Sequence, residues 1–204
     1  KFSDFIAVIE KRMGFFKLDD LIYDKSMDRS HEINTNWLLY VDNYLEGFHI
    51  PYVHKELNDV LDYQQYHTET FDNAVLQIGY GETAENCFLI PENHTDCGKN
   101  IAAYYWWIFP NLMMNFYPWG LSINVVRPID IGRTVVDYYG FKFPNASKSG
   151  AGSELDVVEH EDQLVVESCY LGMQSRSYNR GRYSAIMEKG VHHFHLLLTK
   201  NQSQ

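Results

Sequence analysis

A run rich in Tyr, Trp, Phe and Val extends from Ile101 to Phe143, and it limits the possible folds more than any other segment. Turn residues interrupt it at Pro110, at Pro118-Trp-Gly120 and at Asp130-Ile-Gly132. Aromatic and β-branched residues between turns are typical of short antiparallel strands. Thr70–Gly79 alternates in the same way and predicts a further strand. We therefore expect an antiparallel sheet in the middle of the chain.

Helical patterns flank this sheet. Apolar residues at three- and four-residue spacing predict helices over Phe2–Phe15 and Asn36–Phe48, and a long helix over Glu154–Ser175. His192–Leu198 is expected to be a short helix or strand, while Gly81–Asn100 and Asn145–Ser153 are expected to be loops. A sheet followed by a helix that covers one face is an α+β arrangement. The predicted fold is therefore a single α+β domain over residues 1–204 of the helix-grip (START/Bet v1-like) type, with a cavity between the sheet and the long helix.

The charge of the chain argues against two classes of partner. Its formal net charge is −10, and an acidic surface repels phosphate backbones and anionic lipid. Its longest apolar run, Ile101 to Pro110, is far shorter than the ~20 residues of a membrane span. We expect no nucleic-acid partner, no membrane partner and no signal peptide. Because Lys1 is not an initiator Met, we expect the start to be a boundary made by processing or trimming.

Cysteine is scarce, with Cys87, Cys97 and Cys169 at irregular positions. An odd count without regular spacing argues against a disulfide framework and favours a cytoplasmic location. A metal-binding role for Cys87 and Cys97 is less expected than an incidental one. The chain also lacks a Cys-x-His paired with a Cys-x-x-His, so it is not expected to hold a Rieske [2Fe–2S] cluster.

Two histidines, His49 and His54, form the most informative motif. On an unbroken helix, five residues of separation would turn their imidazoles apart. Pro51 disfavours helix at Ile50, so we expect the helix to break there and bring both rings to one point. The alternative is that the two histidines only cap or pack at a helix end.

A carboxylate on the predicted long helix would complete a metal site. Two His and one carboxylate are the ligands of many non-haem Fe(II) oxygenases. Asp162 is one candidate for the third ligand, and Glu159 and Glu161 are alternatives that the pattern leaves open. The His-x-x-x-His motif with an intervening Glu that is typical of zinc hydrolases is absent here.

These motifs resemble the catalytic domain of Rieske non-haem iron oxygenase α subunits, the ring-hydroxylating oxygenase family, and most of all its choline monooxygenase-like branch. The resemblance begins with Asp42-Asn-Tyr44 and Glu46-x-x-His49-x4-His54 and covers roughly residues 30 to 198. It continues through further motifs: Phe109-Pro-Asn111, Tyr117-Pro-Trp119, Glu161-Asp162, Glu167-Ser168, Gly172, Tyr178, Gly181-Arg-Tyr183, Glu188-Lys-Gly190 and His192-His-Phe-His195.

The resemblance implies a role for individual residues. His49, His54 and Asp162 would ligate Fe(II), and Asn43 would lie near the iron. Glu46, where many relatives have Asp, would link the iron site to the Rieske cluster of a neighbouring subunit. Three residues separate Glu46 from His49, so the carboxylate can also accept the second N–H of this imidazole. A neighbouring segment, Cys169-Tyr-Leu171, departs from the more polar residues of relatives.

Aromatic residues of the predicted strands are candidates for a substrate pocket, because aromatic faces attract quaternary ammonium groups. We name Trp106, Phe109, Asn111 and Tyr117 as candidate substrate-binding residues. Strand alternation means that about half of the aromatic residues face away from any one cavity. The histidines at 192, 193 and 195 are expected to be structural, because no suitably spaced carboxylate motif lies near them.

The predicted function is that of an oxygenase catalytic domain that activates O₂ at Fe(II) and hydroxylates a small choline- or betaine-like amine. A Rieske [2Fe–2S] cluster and a reductase or ferredoxin, both outside this chain, would supply electrons. The family resemblance also implies a homotrimer for the full-length protein. Ring dihydroxylation is an alternative, and so is a non-enzymatic ligand-binding domain of the helix-grip fold.

Overall fold

The computed structural model describes residues 2–54, 61–62, 65–144, 146–152 and 155–202. Within these ranges, the segment rich in aromatic residues forms four long strands, as its alternation and turns predict. The helices are α1 (Phe2–Met13), α2 (Trp37–Tyr44), α3 (Ile50–Val53), α4 (Leu155–Met173) and α5 (Lys189–Gln202). The strands are β1 (Ile22–Tyr23), β2 (Arg29–Ile33), β3 (His67–Phe71), β4 (Ala74–Tyr80), β5 (Ile101–Ile108), β6 (Leu112–Tyr117), β7 (Gly120–Asp130) and β8 (Arg133–Lys142). Two 3₁₀ helices lie at Leu18–Asp20 and Lys25–Met27.

All eight strands belong to one antiparallel sheet. Its order is β1-β8-β7-β6-β5-β4-β3, and β2 also pairs with β8. From β3 to β8, neighbours in the sheet are neighbours in the sequence, which is a meander; short turns join its strands except β4 and β5, which the loop of residues 81–100 connects. The eight-stranded antiparallel sheet and its helices form the α+β helix-grip fold predicted from the sequence.

Both faces of the sheet are covered. On one face, the buried residues Trp107, Met113 and Val136 pack with residues of α2, α4 and α5. On the opposite face, Leu76 and Trp106 pack with residues of α1 and with Phe88 of the long loop. Because both faces are covered, β4 is buried along almost its whole length, and its residues do not alternate between buried and exposed.

The sequence predictions of elements need three corrections. Thr70–Gly79 is not one strand but parts of β3 and β4, because Asp72 and Asn73 form the turn between them. The second predicted helix ends at Tyr44 and not at Phe48. Strands β1 and β2 had no alternating pattern strong enough to be predicted. His192–Leu198 lies inside α5, and the helix predicted over Glu154–Ser175 corresponds to α4.

Among the described residues, no helix is both long enough and apolar enough to cross a membrane.

Candidate metal centre

The path of the chain after α2 brings the two motif histidines together. Asn36 precedes helix α2 and caps it by accepting the N–H of Leu38, and Leu45 follows its last residue as the C-cap. Gly47 follows, where an added Cβ would lie 2.7 Å from the ring of Tyr66, so a residue without a side chain suits this close approach. His49 then precedes the short helix α3, and His54 follows it.

The helix break predicted at Pro51 lies further upstream. Residues 45–49 separate α2 from α3, and Ile50 is helical, contrary to the prediction. Pro51 stands in the first turn of α3. A backbone N–H at this position has no acceptor within the helix, so proline costs no hydrogen bond there. Proline therefore starts the second helix and does not terminate the first. A break that brings the rings together is nevertheless present.

Three side-chain atoms converge on one point beside α4. His49 Nε2 lies 3.0 Å from His54 Nε2. Asp162 Oδ1 lies 3.0 Å from His54 Nε2 and 3.4 Å from His49 Nε2. Among the described residues, these three form the cluster of His, Cys, Asp or Glu side chains that could hold a metal ion.

Two further carboxylates orient the imidazoles. Glu46 Oε1 is 2.5 Å from His49 Nδ1, which is the contact expected from their spacing. Glu161 Oε2 is 2.7 Å from His54 Nδ1. Carboxylates on Nδ1 favour the tautomer that carries its proton there, so both Nε2 lone pairs are directed toward Asp162. Of the alternatives to Asp162, Glu161 therefore contacts the far side of the His54 ring and not the point of convergence.

Asn43 fixes the third member of the cluster. Its Nδ2 atom donates a hydrogen bond of 2.7 Å to Asp162 Oδ1. Glu46 is held as well, since it accepts hydrogen bonds from the backbone N–H groups of Phe48 and His49. These contacts connect α2, the 45–49 segment and α4 into one support for the cluster.

Electrostatic coupling within the cluster is strong. Burial would lower the pKa of His49, but its contacts with Asp162 and Glu46 outweigh burial and raise the pKa to about 9. Burial would likewise lower the pKa of His54, but Asp162 and Glu161 raise it. Burial would raise the pKa of Asp162, and the hydrogen bonds from the two histidines lower it to about 2. The cluster is therefore a place where positive charge is favoured.

The spacing of the three atoms fits a bound divalent cation. Imidazole nitrogens bind zinc at about 2.1 Å, and ligand atoms at that distance in perpendicular directions are about 3 Å apart. The three interatomic distances run from 3.0 to 3.4 Å. Two Nε2 lone pairs that face each other at 3.0 Å also need a proton or a metal between them. The ligand types and their separation thus fit a 2-His-1-carboxylate site.

A cavity with a volume of about 100 Å³ opens beside this cluster. Since a water molecule takes about 30 Å³ of liquid volume, the cavity can hold several waters or one small organic molecule. Its aromatic lining consists of tyrosines, namely Tyr40, Tyr44, Tyr66, Tyr105 and Tyr117. Its polar lining includes Gln77, Asn115, Asn124 and Glu159 together with the cluster residues.

The four candidate substrate-binding residues are divided between different places. Tyr117 lies at the cavity. Trp106 packs on the opposite face of the sheet with α1, and Phe109 packs near Trp107 at the end of β5. Asn111 donates a hydrogen bond to the carbonyl of Val126. These last three side chains do not line the cavity. Alternation along β5 directs Tyr105 toward it and Trp106 away, and Phe109 and Asn111 lie beyond the end of this strand.

The histidines of α5 hold neighbouring elements. His195 Nε2 lies 2.9 Å from Asp42 on α2, and its Nδ1 lies 2.5 Å from the hydroxyl of Tyr183. His193 Nε2 lies 2.6 Å from the carbonyl oxygen of Phe71. These contacts are of the structural kind that the sequence predicted. The cysteines are free thiols, and Cys87 contacts the carbonyl of Thr83.

Comparisons with known proteins agree with this geometry. The model of the family "Ring hydroxylating alpha subunit (catalytic domain)" matches residues 20–201. The chloroplastic choline monooxygenase of Arabidopsis thaliana is 36% identical over 180 residues, which are 85% of this chain and 41% of that protein. The carnitine monooxygenase oxygenase subunit of Escherichia coli K12 is 31% identical over 179 residues, which are 81% of this chain and 46% of that protein. The chain thus spans less than half the length of these relatives.

A comparison with a solved structure shows that the fold is similar as well as the sequence. The structure of a quaternary ammonium Rieske monooxygenase superimposes with a TM-score of 0.72 at 23% identity, and the match covers 97% of this chain and 56% of that one. The family model covers most of the sequence, and the sheet, the long helix and the His-x4-His motif all occur within that match. The chain therefore belongs to the family of ring-hydroxylating α-subunit catalytic domains.

Proposed function

We propose that this chain is the catalytic domain of an iron-dependent oxygenase that acts on a small amine with a quaternary ammonium group. The observation that carries the proposal is the convergence of His49 Nε2, His54 Nε2 and Asp162 Oδ1 beside a tyrosine-lined cavity. Relatives that oxidise choline and carnitine support the substrate class. An Fe(II) ion bound there would supply the redox chemistry of O₂.

The residues of the chain have distinct tasks in this proposal. His49, His54 and Asp162 hold the ion. Glu46 and Glu161 keep the proton of each imidazole on Nδ1, so that Nε2 stays available as a ligand. Asn43 holds Asp162 in place. Because carboxylates orient both imidazoles toward one point, the site is suited to hold a metal ion, which supports the oxygenase over a helix-grip domain that only binds a ligand.

The cavity wall would bind and shield the substrate. Tyrosine rings offer faces that attract a quaternary ammonium group, and their buried phenols stay protonated because burial raises the pKa of Tyr44 and of Tyr117. The apolar parts of these rings exclude water from the space beside Asp162. A substrate held there would present a C–H bond to the metal side of the cavity.

Electron supply and assembly form the second part of the proposal. The electrons would come from a Rieske [2Fe–2S] cluster outside these 204 residues, reduced by a reductase or ferredoxin. The full-length protein would be a homotrimer in which Glu46 connects the iron site to the cluster of a neighbouring subunit. A cytoplasmic location stays a prediction, since one relative is a chloroplastic enzyme.

Metal analysis tests the proposal directly. After anaerobic loading with Fe(II), the parent chain should bind one iron, and the double variant His49→Ala, His54→Ala should lose it. The matched control is His67→Ala, because His67 lies on β3 with a side chain 55% exposed, outside the cluster. If the double variant binds iron as tightly as the parent, the metal site lies elsewhere and the proposal fails.

A further inference from the structure

Glu159 is a buried carboxyl group on α4 that faces the cavity. The residue is only 8% exposed, and its Oε2 atom has no hydrogen-bond partner among the described residues. Leaving a buried acceptor unsatisfied lowers stability, and more so if the group is charged. Such a group usually has a partner that completes it, which here can be a ligand.

The other ionisable groups that line the cavity are engaged. His49, His54 and Asp162 contact one another, and Glu46 contacts His49 and the backbone. Glu159 therefore differs from them in offering a free acceptor atom to the space beside the metal cluster.

Among the described residues, the cationic side chains that act on Glu159 are Arg29 and Lys148, which line a second pocket together with it and have other partners. Arg29 is paired with Asp156 at 3.2 Å. Lys148 lies over the ring of Trp119, 5.7 Å from its centroid. Both act on Glu159 only through space, and they do not outweigh burial and the charges of Asp156 and Asp162, which raise the pKa of Glu159 to about 8. Within the part of the chain that the structure describes, neither of these cations forms an ion pair with this carboxyl group.

We propose that Glu159 is a specificity-determining residue that pairs with the positive charge of a small ammonium substrate. This inference rests on the proposed function, because it deepens the assignment of the cavity as the substrate site. A bound cation favours the ionised form of this buried carboxyl, which then supplies the opposite charge, and the tyrosines around it supply cation–π attraction. Tyr40 and Tyr117 both line the cavity, and the charge of Glu159 is felt at both hydroxyl groups.

The position of Glu159 on α4 also sets where the substrate lies. Glu159 precedes Asp162 by three residues, so the two side chains share one face of the helix. The rise between them is about 4.5 Å along the helix axis. An ammonium group beside Glu159 would therefore lie less than one helical turn along α4 from the carboxylate of the metal cluster.

Two ligands of the same shape, one charged and one neutral, distinguish recognition of the positive charge from recognition of shape. Choline and its neutral carbon analogue, in which a tert-butyl group replaces the trimethylammonium group, have nearly the same shape. Their dissociation constants should be measured by calorimetry on the iron-loaded protein under anaerobic conditions, without reductant. The parent should bind choline at least about tenfold more tightly than the analogue.

Three variants test whether the preference for choline over the neutral analogue depends on Glu159. Glu159→Gln should lower the preference for choline by about tenfold, with affinity for the analogue within about twofold of the parent and with unchanged iron content. Glu159→Asp keeps the charge and should restore part of the preference. Glu167→Gln, which removes one charge from the same helix at a side chain that accepts hydrogen bonds from Asn34 away from this cavity, is the control and should change neither affinity.

Each outcome has one meaning. An unchanged preference in Glu159→Gln overturns the role of Glu159 and assigns recognition to the tyrosine faces, while the proposed function stands. A parent protein with no preference for choline overturns the ammonium substrate class itself, and the role of Glu159 with it.

Discussion

The contact between Glu161 and His54 gives the sharpest prediction for this site. His54 is almost fully buried, and its Nδ1 atom has Glu161 Oε2 at 2.7 Å. Without that acceptor, a buried N–H is left unsatisfied, at a cost of about 1–3 kcal/mol. The ring can avoid this cost by rotating, or by moving its proton to Nε2, the atom that should bind the metal. Substitution of Glu161 should therefore weaken iron binding without removing any ligand.

The expected size follows from the contact. Partners that orient a metal ligand are typically worth about 10–100-fold in metal affinity. The side chain of Glu161 is 34% exposed, so solvent weakens its charge, and the amide oxygen of Gln can still accept from Nδ1. We therefore expect about a tenfold loss for Glu161→Gln and a larger loss, toward about 100-fold, for Glu161→Ala.

Competition with a chelator under anaerobic conditions measures the Fe(II) dissociation constant of each variant. Glu167→Gln is the matched control, since Glu167 lies on the same helix and accepts hydrogen bonds from Asn34 away from the cluster. Near-ultraviolet circular dichroism checks that each variant is folded. If Glu161→Ala binds iron within about twofold of the parent, the orienting role of this carboxylate is refuted.

Three further predictions concern electron supply and stability. In a protein that also carries the cluster domain, Glu46→Gln should retain most of its iron, because an amide oxygen can still accept from His49, but it should slow single-turnover electron transfer sharply. Equal rates would limit Glu46 to orienting His49. This chain by itself should give no steady turnover with NADH and a reductase, because it lacks the Cys and His spacing of a Rieske cluster, and sustained product formation would contradict this. Asp96→Asn should lower the free energy of unfolding by about 3 kcal/mol near neutral pH, because the fully buried Asp96 pairs with Arg12 and Lys99. Burial would raise the pKa of Asp96, but these partners lower it, so its contribution is complete above the unfolded-state pKa of about 4 and is lost as the pH falls through the folded-state value. Denaturant unfolding should therefore show a steeper acid loss of stability in the parent than in Asp96→Asn, and parallel losses would contradict the assignment.

Much of the fold could be predicted because its signals are local. Turn residues divide the aromatic run into β5, β6, β7 and β8, and a helical stripe marks α4. The hairpin of β3 and β4 was missed because only Asp72 and Asn73 separate two strands with continuous alternation. Strands β1 and β2 were missed because they are short and mostly exposed, so their positions depend on pairing with β8.

The sequence by itself determined which residue types are available for a metal site. His49 and His54, with a helix-disfavouring residue between them, predict that two imidazoles meet near a helix end, and the family resemblance adds Asp162. It could not decide among the carboxylates of α4 from pattern alone. Neighbouring helical residues point about 100° apart, so Glu161 and Asp162 cannot face the same point.

Only the tertiary structure decided how the carboxylates of α4 are divided. The rotation of this helix is fixed by packing against the sheet and by the bond from Asn43 to Asp162, two residues that are 119 positions apart. That rotation turns Asp162 toward both histidines, Glu161 toward the outer nitrogen of His54 and Glu159 into the cavity. Local sequence determines which side chains a helix carries, but only the surfaces packed against it determine which way each one points.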